Sequence, residues 1–262
     1  NRVIPEKTSK PSSGATAGTS RSERLIRPAL LAFFLFTAAV LTAFGSPEPK
    51  EPLESSSSST IALPFPKSEG ELSLEETLNR RGVERNYSQQ PLSLENLSQL
   101  LWAGGGMQVD AVSGPTRTAP SAGGLYPQEL FVFLGNVEKA GHRLESGVYR
   151  YEPQDHRLVQ LHSGDQREEL ARAALNQRFI SQAPAVIVLG GVVERTAAKY
   201  GERGAERYVF LDAGHSAQNI SLQASALGLA SALVGAFSDT AVASLLPKAE
   251  ALPIYIIPVG YP

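Results

Sequence analysis

The sequence predicts an α+β domain in which helices cover the faces of a β-sheet. Short apolar runs at residues 130–134, 185–189 and 252–259 have the length and composition of strands, and the middle run indicates a strand buried on both faces. Residues 205–229 instead repeat small apolar side chains at helical spacing, which favours a central or intersubunit helix. A single domain of about 190 residues is long enough to bury a sizeable core.

Two helices are predicted before the first long strand. Residues 73–76 (SLEE) form a capping box, which begins a helix through about residue 81. Ser93 begins a second helix that has a leucine face and ends at the glycines of residues 104–106.

Four further elements are predicted after residue 140. They are a hairpin of residues 147–151 and 157–161, a helix that Asp165 caps and that ends near residue 177, a strand over residues 230–237, and a short helix from Asp239.

Composition excludes several function classes. The chain has no cysteine, so disulfides, thiolate metal sites and cysteine nucleophiles are excluded. The net charge of the whole chain is −2, but residues 1–27 hold six Lys/Arg and two Asp/Glu, so the remainder is acidic. An acidic domain argues against nucleic-acid binding. No metal-ligand spacing, G-x-G-x-x-G, phosphate-binding P-loop or G-x-S-x-G is present.

The N-terminal part is predicted to target a membrane. Residues 1–24 are polar and basic and should be disordered. Residues 25–45 contain a chargeless stretch (28–44) behind arginines, which predicts a membrane anchor or an export signal of a bacterial protein, with the N-terminus cytoplasmic if uncleaved. Residues 46–70 are a Ser/Pro/Glu-rich linker, and residues 71–262 form the globular domain.

The segment least typical of ordinary packing is residues 117–127 (RTAPSAGGLYP). Gly123 and Gly124 allow positive φ and a close approach to the backbone, while Pro120 and Pro127 stiffen both ends. This predicts a rigid loop with exposed N–H groups that holds a flat polar ligand. The alternative is a tight connection without a ligand.

Three other groups carry candidate chemistry. Arg80, Arg81 and Arg85 form a compact cationic set that suits a phosphate, although a solvated face is the commoner role. Gly235 lies at a strand-to-helix turn, which can present free N–H groups to an anion. Lys199 beside Tyr200 suits acid/base work, against the alternative of a charged loop.

His215 stands in the predicted long helix, three residues after Asp212. No second histidine or carboxylate follows at a metal-ligand spacing, so a packing or subunit-contact role is favoured over a ligand role.

Several motifs occur in an order that resembles the flavin-dependent nitroreductase superfamily, in particular its SagB/ThcOx-type dehydrogenase branch. The resemblance covers about residues 70–262 and rests on residues 80–87 (RRGVERNY), 91–94 (PLSL), 101–103 (LWA), 117–127, 147–151 (GVYRY), 199–204 (KYGERG), 214–219 (GHSAQN), 235–237 (GAF) and 258–260 (PVG).

The resemblance implies an FMN-binding α+β fold with a central mixed, mostly antiparallel sheet, flanked by helices, in an intertwined homodimer with flavin at the subunit interface. It implies FMN-binding roles for Arg80 and Arg81 (phosphate or ribityl chain), for Pro120, Ser121, Ala122, Gly123 and Gly124 (isoalloxazine ring), and for Val234, Gly235 and Ala236 (backbone contacts). Gly82 replaces a serine that many members have, which leaves only its backbone N–H as a donor to flavin. Asp212 stands where glutamate is common.

The implied activity is an FMN-dependent oxidoreductase in which Lys199 and Tyr200 handle the substrate proton while hydride passes to flavin N5. Its substrate is a small molecule or a peptide, whose azoline rings would be oxidised to azoles. One alternative is an NAD(P)H-dependent nitro or quinone reductase, and another is a non-catalytic flavin-binding assembly partner at the membrane. An exported azoline oxidase would lack the cyclodehydratase with which such enzymes work.

Overall fold

The computed structural model describes residues 59–112, 114–246 and 251–262. The predictions for residues 1–24, for the membrane or signal segment 25–45 and for the first part of the linker lie outside the described residues. Within the described ranges, no helix combines the length and the apolar character that a membrane crossing requires.

One antiparallel sheet organises the domain. Its strand order is β1-β9-β8-β5-β10-β12-β11, and two small sheets, β2-β6-β7 and β3-β4, lie beside it. The strands of the described residues are β1 (Thr60–Ala62), β2 (Leu92–Ser93), β3 (Met107–Asp110), β4 (Gly114–Arg117), β5 (Gln128–Leu134), β6 (Val137–Lys139), β7 (His142–Arg143), β8 (Gly147–Glu152), β9 (Arg157–Ser163), β10 (Ala185–Gly191), β11 (Ala230–Ser231) and β12 (Leu252–Gly260).

Helices cover both faces of this sheet, so the predicted α+β architecture is confirmed. They are α1 (Leu74–Arg80), α2 (Leu94–Gly105), α3 (Arg167–Ala173), α4 (Phe179–Gln182), α5 (Val193–Tyr200), α6 (Val209–Ala226) and α7 (Asp239–Leu245). Leu130 and Val132 of β5 pack in the cluster that holds the leucines of α2 and the small residues of α6. Phe131 and Phe133 point to the opposite cluster, which includes residues of α3, α4 and α7. Every residue of β10 is buried, as its continuous apolar run predicts.

The helix starts that depend on local chemistry are confirmed. The Ser73 hydroxyl accepts from Glu76 N, and the Glu76 carboxylate accepts from Ser73 N, which completes the capping box. The Ser93 hydroxyl caps α2 by accepting from Asn96 N, and α2 ends at Gly105 with Gly106 as its C-cap. Close approach of α2 and α6 requires Gly104, because a Cβ there would lie 2.8 Å from the Ile220 side chain.

Two predicted elements are shorter than expected. The N-cap residue of α3 is Gln166, one residue later than predicted, and the Asp165 carboxylate accepts from Arg167 N and from the Arg167 guanidinium, the latter at 2.6 Å. The helix ends at Ala173, and Leu175 and Asn176 adopt left-handed backbone with φ of 58° and 60°. The strand predicted over residues 230–237 is limited to β11, followed by an isolated bridge between Val234 and Ile256.

The predicted linker is also wrong at its C-terminal end, because β1 lies inside it and pairs with β9. The β-branched residues after the serine run form this edge strand. The next residues are tied to the core: Ser98 Oγ donates to Pro64 O at 2.6 Å, and His156 Nε2 lies 2.9 Å from the same oxygen. Tyr151 donates to His156 Nδ1 at 2.8 Å, so the imidazole joins the linker end to the β8–β9 hairpin.

This histidine makes stability depend on pH. Burial lowers the pKa of His156, although the Pro64 carbonyl partly opposes that shift. Below about pH 6.5 the unfolded chain therefore binds more protons than the folded chain, so stability is complete above that pH and is lost as the pH falls. The free energy of unfolding of wild type should fall between pH 7 and pH 5, and we expect this fall to be smaller in His156→Asn. Asparagine tolerates the φ of 45° at this position. Urea titrations of this variant and of the exposed control His142→Asn measure the effect. An equal fall in the free energy of unfolding of His156→Asn and His142→Asn would contradict the role of His156.

Candidate active site

The loop of residues 117–127 is held by one face of α6. Asp212, His215 and Asn219 follow one another at helical spacing and all bond to the loop. The Asp212 carboxylate accepts from Ser121 Oγ at 2.6 Å and from Ala122 N at 3.1 Å. His215 Nδ1 lies 3.1 Å from the Pro120 carbonyl, which can only accept, so the ring nitrogen is the donor. Asn219 Nδ2 donates to Thr118 O at 3.3 Å.

Ser121 is fully engaged inside the loop. Its hydroxyl donates to Asp212 and accepts from Tyr126 N at 2.8 Å. At the other end of the loop, Thr118 Oγ1 donates to Trp102 O at 2.6 Å, which ties the loop to the end of α2. The loop is therefore rigid, as its prolines predict, and Ser121 can meet a ligand only through atoms other than its hydroxyl hydrogen.

Lys199 and Tyr200 lie against this loop, at the last turn of α5. Gly123 has φ of 63°, and a Cβ added there would meet the Tyr200 hydroxyl and would lie 2.9 Å from Lys199 Nζ. Lys199 Nζ stands 5.4 Å from the centre of the Tyr200 ring, whose edge-to-face neighbour is Tyr208 at 5.0 Å. Arg203 Nε donates to the Tyr208 hydroxyl at 2.9 Å. The structure thus brings the loop of residues 117–127 together with Lys199 and Tyr200, which are far from it in the sequence.

We expect Gly123→Ala to displace Lys199 and Tyr200 from the loop. The methyl group would overlap the Tyr200 hydroxyl, and an alanine is strained at this φ. Turnover should fall at least about tenfold, because small misplacements of catalytic groups cost that much or more. Gly141→Ala, between β6 and β7 and outside the proposed site, is the matched control, since Gly141 has φ of 79° but nothing within 4 Å of the added Cβ. Steady-state assays of both variants measure the difference, and equal activities would contradict a steric role for Gly123.

The predicted phosphate-binding arginines lie at the end of α1. Arg80 has only a long ion pair, 3.8 Å from Glu76, and is more than half exposed. Arg81 is the C-cap residue, and its backbone N–H donates to Thr77 O. Arg85 instead stacks on the Phe179 ring at 5.4 Å. Arg80 and Arg81 therefore remain available to an anion.

Residues 234–236 form an ordered turn before α7. Val234 is buried and exchanges two backbone hydrogen bonds of 2.9 Å with Ile256. The Ala236 carbonyl accepts from Gln177 Nε2 at 2.9 Å. A Cβ on Gly235 would meet nothing within 4 Å, so the backbone there is open to a ligand.

The predicted site residues thus form separate groups within one chain. Among residues 59–112, 114–246 and 251–262, no hydrogen bond, ion pair or ring contact joins Arg80 or Arg81 to the loop 117–127 or to Lys199 and Tyr200. Sequence reasoning missed the loop-holding role of Asp212, His215 and Asn219. The available signal was their spacing of three and four residues on a helix whose buried face is mostly Ala and Ser.

A polar cleft of about 520 Å³ opens beside the loop. We call it the Arg117 cleft. It is lined by Arg117, Leu125, Tyr126, Gln128, Glu129, Leu130, Arg150, Tyr151, Glu152, Pro153, Gln154, Asp155 and Arg195.

Comparisons with known proteins identify the family and the fold. The nitroreductase family model matches residues 78–261. The nitroreductase-like protein MJ1384 of Methanocaldococcus jannaschii is 39% identical over 201 residues, which are 77% of this chain and 96% of that protein. A nitroreductase-like structure from Ralstonia eutropha JMP134 aligns with a TM-score of 0.64 and 28% identity, over 79% of this chain and 90% of that chain. The E. coli microcin synthetase McbBCD complex with truncated pro-MccB17 bound is alike in fold, with a TM-score of 0.57 and 23% identity, over 81% of this chain and 78% of that chain.

Proposed function

Because the chain belongs to the nitroreductase family of oxidoreductases, we propose that it is an FMN-dependent dehydrogenase of the SagB type. The observation that carries the proposal is the contact of Lys199 and Tyr200 with Gly123. A proton-handling pair beside a rigid, glycine-containing loop is what a dehydrogenase requires at the face of a flat cofactor.

The residues present fit FMN. The guanidinium groups of Arg80 and Arg81 lie at the end of α1 and make no ion pair shorter than 3.8 Å to any described residue, and such groups match a phosphate. Gly123 and Gly124 provide a loop surface without side chains, and the open backbone at Gly235 provides another. In this proposal the arginines hold the phosphate or ribityl chain, while residues 120–124 and 234–236 contact the ring.

When bound, FMN supplies a hydride acceptor or donor at its N5 atom. The contribution of the chain is position and proton transfer. Asp212 fixes the loop, so the backbone of residues 120–124 presents one unchanging surface to the ring. Lys199 Nζ and the Tyr200 hydroxyl lie at that surface and can take a proton from, or return one to, the substrate atom next to the transferred hydride. The packing of Tyr200 on Tyr208 restricts the direction in which its hydroxyl points.

The substrate class that we propose is an azoline-containing peptide. The order of motifs resembles the SagB/ThcOx branch, and the shared fold of the microcin synthetase complex is consistent with that branch. An NAD(P)H-dependent nitro or quinone reductase is the second candidate, because the family match fits it equally. Attachment to or export across a bacterial membrane through residues 28–44 stays a prediction.

An activity panel distinguishes these candidates. The full chain would be supplied with FMN and given either a thiazoline-containing peptide under air or a nitroaromatic compound with NADH or NADPH. Azole formation detected by a mass loss of two hydrogens supports the proposal. Nitro reduction without azole formation would support the second candidate. No turnover with any donor would support the non-catalytic assembly partner.

We further propose that the site is completed in a homodimer. Within one chain, no described contact joins Arg80 and Arg81 to the loop of residues 117–127. Apolar side chains are exposed on α1, which carries Arg80, and on α6, which holds the loop: Leu74, Leu78, Phe210 and Leu211. Exposed apolar patches of this kind mark subunit contacts. We expect light scattering to give twice the chain mass. The double variant Phe210→Glu/Leu211→Glu should give the monomer mass and should lose flavin. A flavin-bound monomer would contradict the shared site.

A further inference from the structure

Of the three arginines that line the Arg117 cleft, Arg117 is the one that makes no ion pair to a described residue. Among the described residues, Glu129 pairs with Arg195, and Glu152 pairs with Arg150 at 2.9 Å. Asp155 also has a cationic neighbour, at 3.2 Å, in Arg157 outside the cleft. The three carboxylates of the cleft are therefore neutralised by these arginines.

The Arg117 guanidinium, in contrast, makes no ion pair or hydrogen bond to any described residue. Arg117 is partly buried, and this partial burial lowers the pKa of its guanidinium, an effect that Glu129 partly opposes. Because the described carboxylates of the cleft pair with other arginines, an anion that enters the cleft can take the Arg117 guanidinium as its charged partner.

The guanidinium is also held in place before any ligand arrives. It lies 5.0 Å from the centre of the Tyr126 ring, and the Tyr126 hydroxyl bonds to Thr116 Oγ1 at 2.5 Å. Arg195 Nη1 donates to the Tyr126 carbonyl at 3.0 Å. A fixed planar fork of N–H donors matches the two oxygens of a carboxylate.

We propose that the Arg117 cleft is an anion-binding subsite that takes one carboxylate group of the substrate. Because the other charges of the cleft are paired, one positive charge remains, and it matches the single negative charge of a carboxylate better than the double charge of a phosphate. The subsite adjoins the candidate catalytic pair, since Leu125 directly follows the Gly123–Gly124 turn and Arg195 precedes Lys199 by one turn of α5. That the carboxylate belongs to the substrate rests on the proposed function, whereas the binding of a carboxylate does not.

The test compares a matched acid and amide on the full chain carrying its flavin. Ligand-observed NMR titrations would give Kd for N-acetylglycine, N-acetylglycinamide and inorganic phosphate. We expect the acid to bind at least about tenfold more tightly than the amide and than phosphate, as expected for a hydrogen-bonded charged pair. Arg117→Gln should lose that preference, and Arg117→Lys should keep only part of it because an ammonium lacks the planar fork. The control Arg172→Gln removes an exposed arginine of α3, outside the cleft, and should leave Kd unchanged.

The outcomes separate this proposal from the proposed function. Equal binding of acid and amide by wild type, or an acid preference that survives in Arg117→Gln, would overturn the subsite. Phosphate binding more tightly than the acid in an Arg117-dependent manner would overturn the carboxylate assignment. The visible absorption of the same samples reports flavin: loss of flavin from wild type counts against the oxidoreductase, while retained flavin without acid preference counts against the subsite alone.

Discussion

Lys199→Met and Tyr200→Phe should each lower turnover of an azoline-containing peptide about 10²–10⁴-fold while FMN remains bound, because positioned acid/base groups contribute about that much. Both side chains meet the loop at Gly123, and neither belongs to the proposed phosphate or ring contacts. Steady-state kinetics together with flavin absorbance measure the two effects separately.

Lys139→Met and Tyr255→Phe are the matched controls. Lys139 is exposed on β6, and Tyr255 lies on β12. Both should keep wild-type turnover. Full azole formation by the Lys199 and Tyr200 variants would remove the proton-transfer role. Nitro reduction that is unchanged in those variants, with no azole formation by wild type, would favour the reductase alternative.

Asp212→Ala should destabilise the fold by about 2–4 kcal/mol and abolish flavin binding. The Asp212 side chain is 2% exposed and accepts from both Ser121 Oγ and Ala122 N. Hydrogen bonds to a charged group are worth about 1.5–3 kcal/mol, and the buried donors would be left without an acceptor. Urea unfolding and a titration with FMN measure the two losses.

Asp212→Glu tests the geometry of the same contact, since it keeps the carboxylate and should recover part of the flavin affinity. Asp239→Ala is a control at the exposed start of α7 and should cost no more than about 1 kcal/mol. An Asp212→Ala protein that is as stable as wild type and binds FMN would contradict the view that α6 holds the loop.

The elements that the sequence predicts well are those that depend on neighbouring residues. The Ser73 and Ser93 side chains cap their helices by accepting from backbone N–H groups three positions away, and every residue of β10 is buried. The predicted end of α3 is too late because Leu175 adopts a left-handed backbone, and no glycine near it in the sequence indicates this. The extent of β11 was missed because it depends on pairing with β12, which is remote in sequence.

In the candidate site, too, local sequence predicts the loop but not the residues that pack against it. The composition of residues 117–127 predicts a rigid loop, and hydrogen bonding supports that prediction. The partners that hold it could not be predicted, because Asp212 and His215 look like ordinary helix residues until α6 is packed against the loop. The adjacency of Lys199 and Tyr200 predicts acid/base work, but no local pattern in the sequence places the pair beside Gly123.

The visible absorption spectrum of the purified full chain, followed by identification of any cofactor released by heat, tests the central claim most directly. The full chain is needed because β1 and Pro64 lie before residue 70 and belong to the folded domain. The account predicts flavin absorption bands and the release of FMN. A colourless protein that does not bind added FMN would contradict the assignment as a flavin-dependent oxidoreductase.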